Sequence, residues 1–446
     1  MRKQVIFLAG ALAMAPLGAR GADLVVWWEK GYYAEEDEAV REIIAAFERE
    51  TRKEVELVQY GYPEIYDKVE AVAKTGQPPD FLFSTFSAAM IPQWAYENRL
   101  ADLQGVLGPL LDLFDADLVQ ASMLLNGTTH RRGLYALPMG QSSNHVHVWS
   151  NLLERAGFTL ADIPDEWDGF WSFWCDRVQP GVRKALGRDD LWGVGLSMSA
   201  ASLETYDQLL QFQLAYDASW PGRDHRLRID DPDVRRGMVR ALDDYTSIWQ
   251  KGCAPPDSVS ATFNNNKAFL DQRVVMTANG TLSITGALRA KRAEDYYHNV
   301  VTIDWPNGAN GRPLVIEGFL ARAGVFTGGR NPGLAEDFVR FLVGEGWLVH
   351  WLTFGGDRRM PPMRKLLDQP FWLDPTDPHR MRAAVQLLSR SHLVADMGIR
   401  DHEWQSSRIF KENVWGNAVS RVAADGVSPA QAVDEAIARI KEILSE

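Results

Sequence analysis

Apolar and polar residues alternate along this chain in blocks whose period switches between that of a strand and that of a helix. Leu24-Val25-Val26-Trp27-Trp28 is an unbroken run of strand formers. After Gly31 the period lengthens. Val40, Ile43, Ile44 and Phe47 recur at i, i+3, i+4 and i+7, with acids and Arg41 on the opposite side, which predicts an amphipathic helix. Val55-Glu56-Leu57-Val58 reads as a second strand. Ile65, Val69, Val72 and Ala73 mark a second helix with Pro63 in its first turn. Gln77-Pro78-Pro79 ends it, and Asp80-Phe81-Leu82-Phe83 is a third strand. Continuous apolar strands separated by helices predict a parallel sheet covered on both faces.

Later blocks read as pieces of more than one sheet. Leu134 to Leu137 predicts a strand ending at Pro138. Val146 and Val148 alternate with His145, His147 and Trp149, as on a half-buried strand. Val274-Val275-Met276-Thr277 is a strand with a turn signal, Asn279-Gly280, behind it. Val433, Ile437, Ile440 and Leu444 line one face of a last helix. No fixed repeat period and no Gly/Ser-rich linker divides the chain, so two domains would have to be joined by ordered segments.

The first residues change the picture by pointing to export. Arg2 and Lys3 precede an apolar stretch from Val5 to Leu17, and Ala19-Arg20-Gly21 offers a small-x-small cleavage site. Residues 1–21 therefore read as a signal peptide. No cysteine follows the site, so no lipid anchor is expected there, and a bacterial periplasm is the expected compartment. No later run is long and uncharged enough to span a bilayer. A length of 446 residues calls for two domains or more. The net charge of −12 argues against nucleic acid or an anionic membrane surface as partner. With only Cys175 and Cys253, a single disulfide is permitted, and two separate buried thiols are equally compatible.

Five segments, taken in order, resemble the extracellular solute-binding proteins of the maltose-binding type, which serve ATP-driven sugar importers. They are Leu24–Trp28 with the helix ending Ala46-Phe47-Glu48-Arg49-Glu50-Thr51; Gly76-Gln77-Pro78-Pro79-Asp80 running to Asn98-Arg99-Leu100-Ala101-Asp102-Leu103; and Gly133-Leu134-Tyr135-Ala136-Leu137-Pro138 running to Leu153-Glu154-Arg155-Ala156-Gly157-Phe158. Then come Ala268-Phe269-Leu270-Asp271-Gln272-Arg273 through Gly280, and Asn331-Pro332 through Phe341-Leu342 with Met360-Pro361-Pro362. Trp149-Ser150-Asn151 stands where the family often has a tyrosine-asparagine pair. The resemblance implies an α/β, two-lobed periplasmic-binding-protein fold of type II, each lobe a central sheet flanked by helices. About three hinge crossings are implied, near Pro138–Gln141, Ala278–Gly280 and Thr327–Pro332. The implied lobes are residues 22–138 plus 279–330, and 139–278 plus 331–446. The implied protein is a monomer that hands a carbohydrate to membrane permease subunits.

A sugar offers apolar ring faces and a rim of hydroxyls, so its site needs aromatic platforms and paired polar groups. Trp28, Glu29 and Lys30 follow the first strand, and Ser84, Phe86 and Ser87 follow the third, at the ends where such sheets bind ligands. Each has a plainer reading as loop, cap or core. Gln141, Ser142, Asn144 and His145 form the densest polar run, beyond the first implied hinge. Ser197 ends a Gly193-x-Gly195 strand, Asn279 sits at the second hinge, and Gly355-Gly356-Asp357-Arg358 precedes Met360-Pro361. Glycines there allow close backbone approach, and Arg358 can hold a hydroxyl or an acid. Trp415, on a late helix, is a stacking candidate by resemblance. His145 and His147 share one side of a strand, but no carboxylate or cysteine completes a metal set, so no metal and no cofactor are expected.

The leading expectation is thus binding without chemistry. A secreted carbohydrate-active enzyme remains open, because acids are plentiful and two carboxylates at the right separation suffice. No G-x-S-x-G elbow, H-E-x-x-H or P-loop occurs. The same fold holding a polyamine or another non-sugar solute is the third reading.

Overall fold

The computed structural model describes residues 21–61, 64–76, 78–222, 226–355, 357–392 and 403–446. The expected signal peptide lies outside them except for Gly21.

The chain opens as its pattern predicts: β1 (Leu24–Glu29), α1 (Ala34–Thr51), β2 (Val55–Tyr60), α2 (Glu64–Thr75), β3 (Phe81–Phe83) and α3 (Thr85–Tyr96). β1 pairs in parallel with β2 on one side and β3 on the other. Val40, Ile43, Ile44 and Phe47 are all buried, and α1 carries Glu35, Glu36 and Asp37 in its first turn, where the helix dipole favours acids. The sheet is completed from far along the chain. The strand Ile316–Val325 runs antiparallel to β3 on one edge and to Leu137–Ser143 on the other.

Leu137–Ser143 continues through Pro138, where the pattern predicted an end. Proline lacks the N–H that a ladder needs, and the register shifts between Ala321 and Arg322, opposite it. Such a bulge is where a strand tolerates proline.

The second sheet orders the strands Val300–Ile303, His145–Trp149, Val274–Asn279 and Trp192–Gly195. His145–Trp149 is central, so every residue of it is buried and the expected half-exposed strand is not found. Cys175 and Cys253 form a disulfide within this lobe.

Strand pairing corrects the expected lobe boundaries. The chain leaves the first sheet at Ser143 and enters the second at His145, close to the first expected hinge. It does not return at Asn279. Ile284 and Leu288 sit in the second core, and Val300–Ile303 pairs with His145–Trp149. The return comes between Ile303 and Ile316. Nor does it cross at Thr327–Pro332. The helix Pro332–Gly344 packs Phe338 against Phe47 and Phe81 at 5.1 and 5.2 Å. The helix Trp347–Phe354 packs Trp351 against Trp28 and Phe83 at 5.2 and 5.1 Å, so both helices belong to the first lobe. The segment Asp357–His392 builds a small core of its own from Met360, Leu367, Trp372, Ala383, Ala384 and Leu387 with Leu282, and its last two residues pair with Ile316 and Glu317 at the edge of the first sheet. Beyond it the helices Val414–Ala423 and Pro429–Leu444 close the second core.

The lobes lie against each other. A Cβ on Gly286 of the second lobe would come within 2.7 Å of the Tyr33 ring of the first, so only glycine permits this approach. Tyr96 stacks on Trp404 with ring centres 4.9 Å apart. Among the described residues no helix is long and apolar enough to cross a membrane.

Candidate functional site

The carboxyl ends of β1 and β3 face the second lobe, and the residues there form a charge-balanced cluster. Glu29 is 5% exposed, and its carboxylate accepts the Thr85 N–H at 2.5 Å and the Thr85 hydroxyl at 2.9 Å. Arg358 reaches Glu29 and Glu36, each at 3.3 Å. Arg359 donates to Thr85 Oγ1 at 2.5 Å and lies 3.8 Å from Glu29. Two buried carboxylates thus face one buried and one partly buried guanidinium, which is the arrangement that makes such burial tolerable. Burial raises the Glu36 carboxyl while Arg358 and Arg359 pull it back. Burial, and next the charge of Arg358, lowers Arg359 to about 10.

The segment bearing these arginines straddles the junction. Asp357, held at φ 65°, turns toward the second lobe, 3.5 Å from Arg289 and 3.6 Å from Arg380. Burial pushes its carboxyl up to about 7 against the pull of both arginines. Arg358 turns toward the first lobe. The Leu282 N–H donates to the Arg358 carbonyl, and Met360 and Gln141 exchange backbone hydrogen bonds at 2.7 and 2.8 Å. Adjacent residues of opposite charge therefore tie opposite lobes to one turn.

The second lobe answers with amides and one acid. Glu204 stands in the first turn of the helix Leu203–Ala215 and accepts from Asn265 Nδ2 at 2.9 Å. Asn266 donates to Ser283 Oγ at 3.0 Å and accepts from Asn279 Nδ2. Asn266 and Glu204 act on the Tyr32 phenol from across the gap, the amide lowering and the carboxylate raising it, and the Tyr32 ring lies 6.0 Å from the Arg358 guanidinium. Tyr32, Glu36, Thr85, Glu204, Asn265, Asn266 and Arg359 were not singled out by the sequence. Asn264-Asn265-Asn266, three amides just before the fourth resembling segment, was the available signal.

The residues singled out from the sequence divide into three groups. Glu29, Asp357 and Arg358 are at the junction, and Lys30 is exposed beside them. Gln141, Ser142, Asn144, His145, Ser197, Asn279 and Gly355 are at or near it but are engaged in holding the fold. Gln141 Nε2 donates to the Pro361 carbonyl at 2.8 Å. Ser142 pairs with Phe319 in the first sheet, and the Asn144 carbonyl accepts from Trp305 Nε1 and Gln386 Nε2, both at 3.0 Å. Ser197 Oγ accepts from the Thr205 hydroxyl, Asn279 Oδ1 accepts from the Thr281 N–H, and Gly355 closes the helix before it. Ser84 is fully buried at the end of β3.

The third group departs from expectation. Trp28 is 1% exposed, packed against Phe81, Phe83 and Trp351. Trp415 is 0% exposed in the second core. Neither offers a ring face to a ligand, because each fills the apolar interior its own element must bury. Phe86 and Ser87 begin α3, but their side chains, like Gly356, lie outside the described residues.

His145 and His147 join a buried polar chain. His147 Nδ1 is 3.0 Å from Thr302 Oγ1, which is 2.7 Å from His379 Nδ1, and His145 Nδ1 is 3.2 Å from Gln386 Oε1. Among the described residues no group of three or more His, Cys, Asp or Glu is arranged to hold a metal ion. Burial pushes His145 and His379 down to about 4, and His147 well below 6.5. A histidine held neutral in the fold binds its proton only on unfolding. His145 therefore costs stability as pH falls below about 6.5, reaching about 3 kcal/mol near pH 4. Asp357 acts in the opposite sense over the same range, so the whole-protein curve does not isolate the effect. The expected result is that His145→Asn gains about 3 kcal/mol relative to the parent between pH 7 and pH 4 in urea denaturation. A constant difference at the two pH values would contradict it.

A separate surface cavity of about 450 Å³, lined by Asp217, Arg228 and Arg312 among others, includes Leu214. It lies at the far end of the helix whose first turn holds Glu204, so it is not part of this junction.

Residues 42–379 match the family model described as bacterial extracellular solute-binding protein. Among curated protein sequences nothing matches. Solved structures match over nearly the whole chain. A solute-binding protein of an ABC transporter from Thermotoga lettingae TMO, bound with α-D-tagatose, has a TM-score of 0.74 at 18% identity, covering 94% of this chain and 99% of that one. T. maritima MalE3 with maltose has a TM-score of 0.71 at 16% identity, covering 94% and 99%. A sugar transporter from Arthrobacter chlorophenolicus A6 with laminaribiose has a TM-score of 0.73 at 14% identity, covering 94% and 98%. At these identities the likeness speaks for the fold, which is the two-lobed one of type II periplasmic binding proteins. The family match spans most of the chain, so this protein belongs to the bacterial extracellular solute-binding proteins.

Proposed function

We propose that this protein captures a carbohydrate between its lobes and delivers it to the permease subunits of an ABC importer, without chemical turnover. The observation that carries the reading is the junction itself. Strand ends of one lobe and helix starts of the other meet over paired charges, amides and the Tyr32 ring. Such a surface suits hydroxyls, which need donors and acceptors held in place. The carbohydrates bound by the three structural relatives support the same solute class. Lys30, Tyr32, Glu204, Asn266 and Arg358 are the proposed contacts, while Glu29, Gln141 and Asn279 hold them in place. We place the mature protein in the periplasm as a monomer, exported by residues 1–21. The junction's carboxylates are engaged by arginines, threonine or amide, which suits positioning better than proton transfer.

The test is a thermal-shift screen against mono- and oligosaccharides, polyols and polyamines, since a ligand bound only by the folded state raises the melting temperature. A carbohydrate hit with no hydrolysis product over many equivalents supports the reading. Shifts confined to non-carbohydrates, or product in excess of protein, would overturn it. Closure should also accompany binding, read as a smaller radius of gyration by small-angle scattering.

A further inference from the structure

Three of the four carboxylates central to the junction have a cation. Glu29 and Glu36 have Arg358, and Asp357 has Arg289 and Arg380. Glu204 has none. Its bonded partner is the neutral amide of Asn265, 2.9 Å from Oε1. The side chain keeps some accessible surface, yet its neighbours desolvate the carboxyl enough to push it up to about 7.

Asn265 fixes what kind of group is missing. Its Nδ2 donates both to Glu204 Oε1 and to the Ala278 carbonyl at 3.0 Å, so its amide orientation is set by two acceptors. Its Oδ1 is buried without a partner, and the residue is 1% exposed. The corner therefore presents the carboxylate oxygen Glu204 Oε2, with the unpartnered Asn265 Oδ1 buried on the neighbouring amide. Tyr32 of the facing lobe is 37% exposed, and its phenol feels the charge of Glu204. A hydroxyl brings one donor and no charge. An ammonium brings three donors, no acceptor and the missing charge, and it sits well against an aromatic face.

We propose that Glu204, with Asn265 and Tyr32, selects a solute bearing a basic amine, of the amino-sugar class, and seats its ammonium in this corner. The inference rests on the reading that the cleft takes a carbohydrate, and it adds the charge of that carbohydrate. Among the described residues the other titratable groups facing Glu204 are Tyr32 and Tyr245, both raised above the usual phenol value by burial and so neutral at working pH. Arg358 and Arg359 pair with Glu29 and Glu36, and the Arg358 guanidinium also lies 6.0 Å from the Tyr32 ring. Of these Glu204 is the group that changes charge near neutrality, and Asp357, pushed up to about 7 beside Arg289 and Arg380, is separated from it by the Glu204→Gln comparison.

The probes are glucosamine with glucose, and a glucosamine disaccharide with cellobiose, titrated calorimetrically at pH 7.2 and 5.5. At pH 7.2 each amine should bind at least about fivefold tighter than its neutral partner, the advantage one added charge-assisted contact gives. At pH 5.5 Glu204 must first lose a proton, so the preference should shrink about tenfold or vanish. Glu204→Gln should erase the preference at both pH values, and Glu204→Asp should keep part of it. The melting temperature of each variant confirms that it is folded. Equal binding of amine and neutral sugars, or a preference that survives Glu204→Gln, overturns the inference and leaves the carbohydrate reading standing. No binding of any of the four sugars counts against both.

Discussion

Replacing Cys175 and Cys253 together by alanine is expected to cost the second lobe about 4 kcal/mol. The bond closes a loop of 78 residues, and the chain entropy removed from the unfolded state grows with loop length. The loop encloses the helices Leu203–Ala215 and Pro232–Gln250 and the strand Trp192–Gly195, so the cross-link ties down most of one side of that lobe. Local packing works in the same direction. Cys253 is 1% exposed, and a Cβ on Gly193 would come within 3.2 Å of its sulfur and 2.4 Å of the Trp174 carbonyl. Urea denaturation followed by tryptophan fluorescence, with and without reductant, checks the effect. A loss below about 1 kcal/mol, for both the reduced parent and the double variant, would show that the bond is incidental to stability.

Arg358→Met is the second large effect, at about 3 kcal/mol near pH 7.5. Methionine keeps much of the volume but removes the cation that Glu29 and Glu36 share at 3.3 Å. Breaking a buried pair is costly because the remaining charge stays desolvated. Arg359 still faces Glu29 and acts on Glu36 only through space, so Glu36 is the group that loses its bonded cation. Its carboxyl is already raised by burial, and loss of Arg358 raises it further. A raised carboxyl gains folded-state stability as pH falls through its folded value, so the cost of the substitution should shrink toward pH 5. Equilibrium denaturation at the two pH values reads both parts. A cost under about 1 kcal/mol at pH 7.5, or one that grows on acidification, contradicts this account of the cluster.

The sequence by itself determined the local elements and the family. β1, α1, β2, α2, β3 and α3 follow from periods of two and 3.6 because each element buries one face against its immediate chain neighbours. The order of five segments carried the type of fold for the same reason, since each segment is a local unit. What the tertiary structure alone decided is which distant strands share a sheet. Ile316–Val325 reads Ile-Glu-Gly-Phe-Leu-Ala-Arg-Ala-Gly-Val, without clear alternation, because both its faces and both its edges are covered by chain from elsewhere. That strand and Val300–Ile303 moved the second hinge from Asn279 to the segment between them. Pro332–Gly344 joined the first lobe because Phe338 fits between Phe47 and Phe81, a complementarity of shape that no spacing records.

The same division holds at the site. Strand ends pointed to Glu29 because topology places ligands there. Trp28, its neighbour, faces the other way, since successive side chains on a strand alternate, and it fills the core instead. Glu204 sits in a helical first turn, where an acid is read as a solvated dipole partner. Only the packing around it, with Asn265 on its carboxylate, turns it into a desolvated acid that has no cation among the described residues.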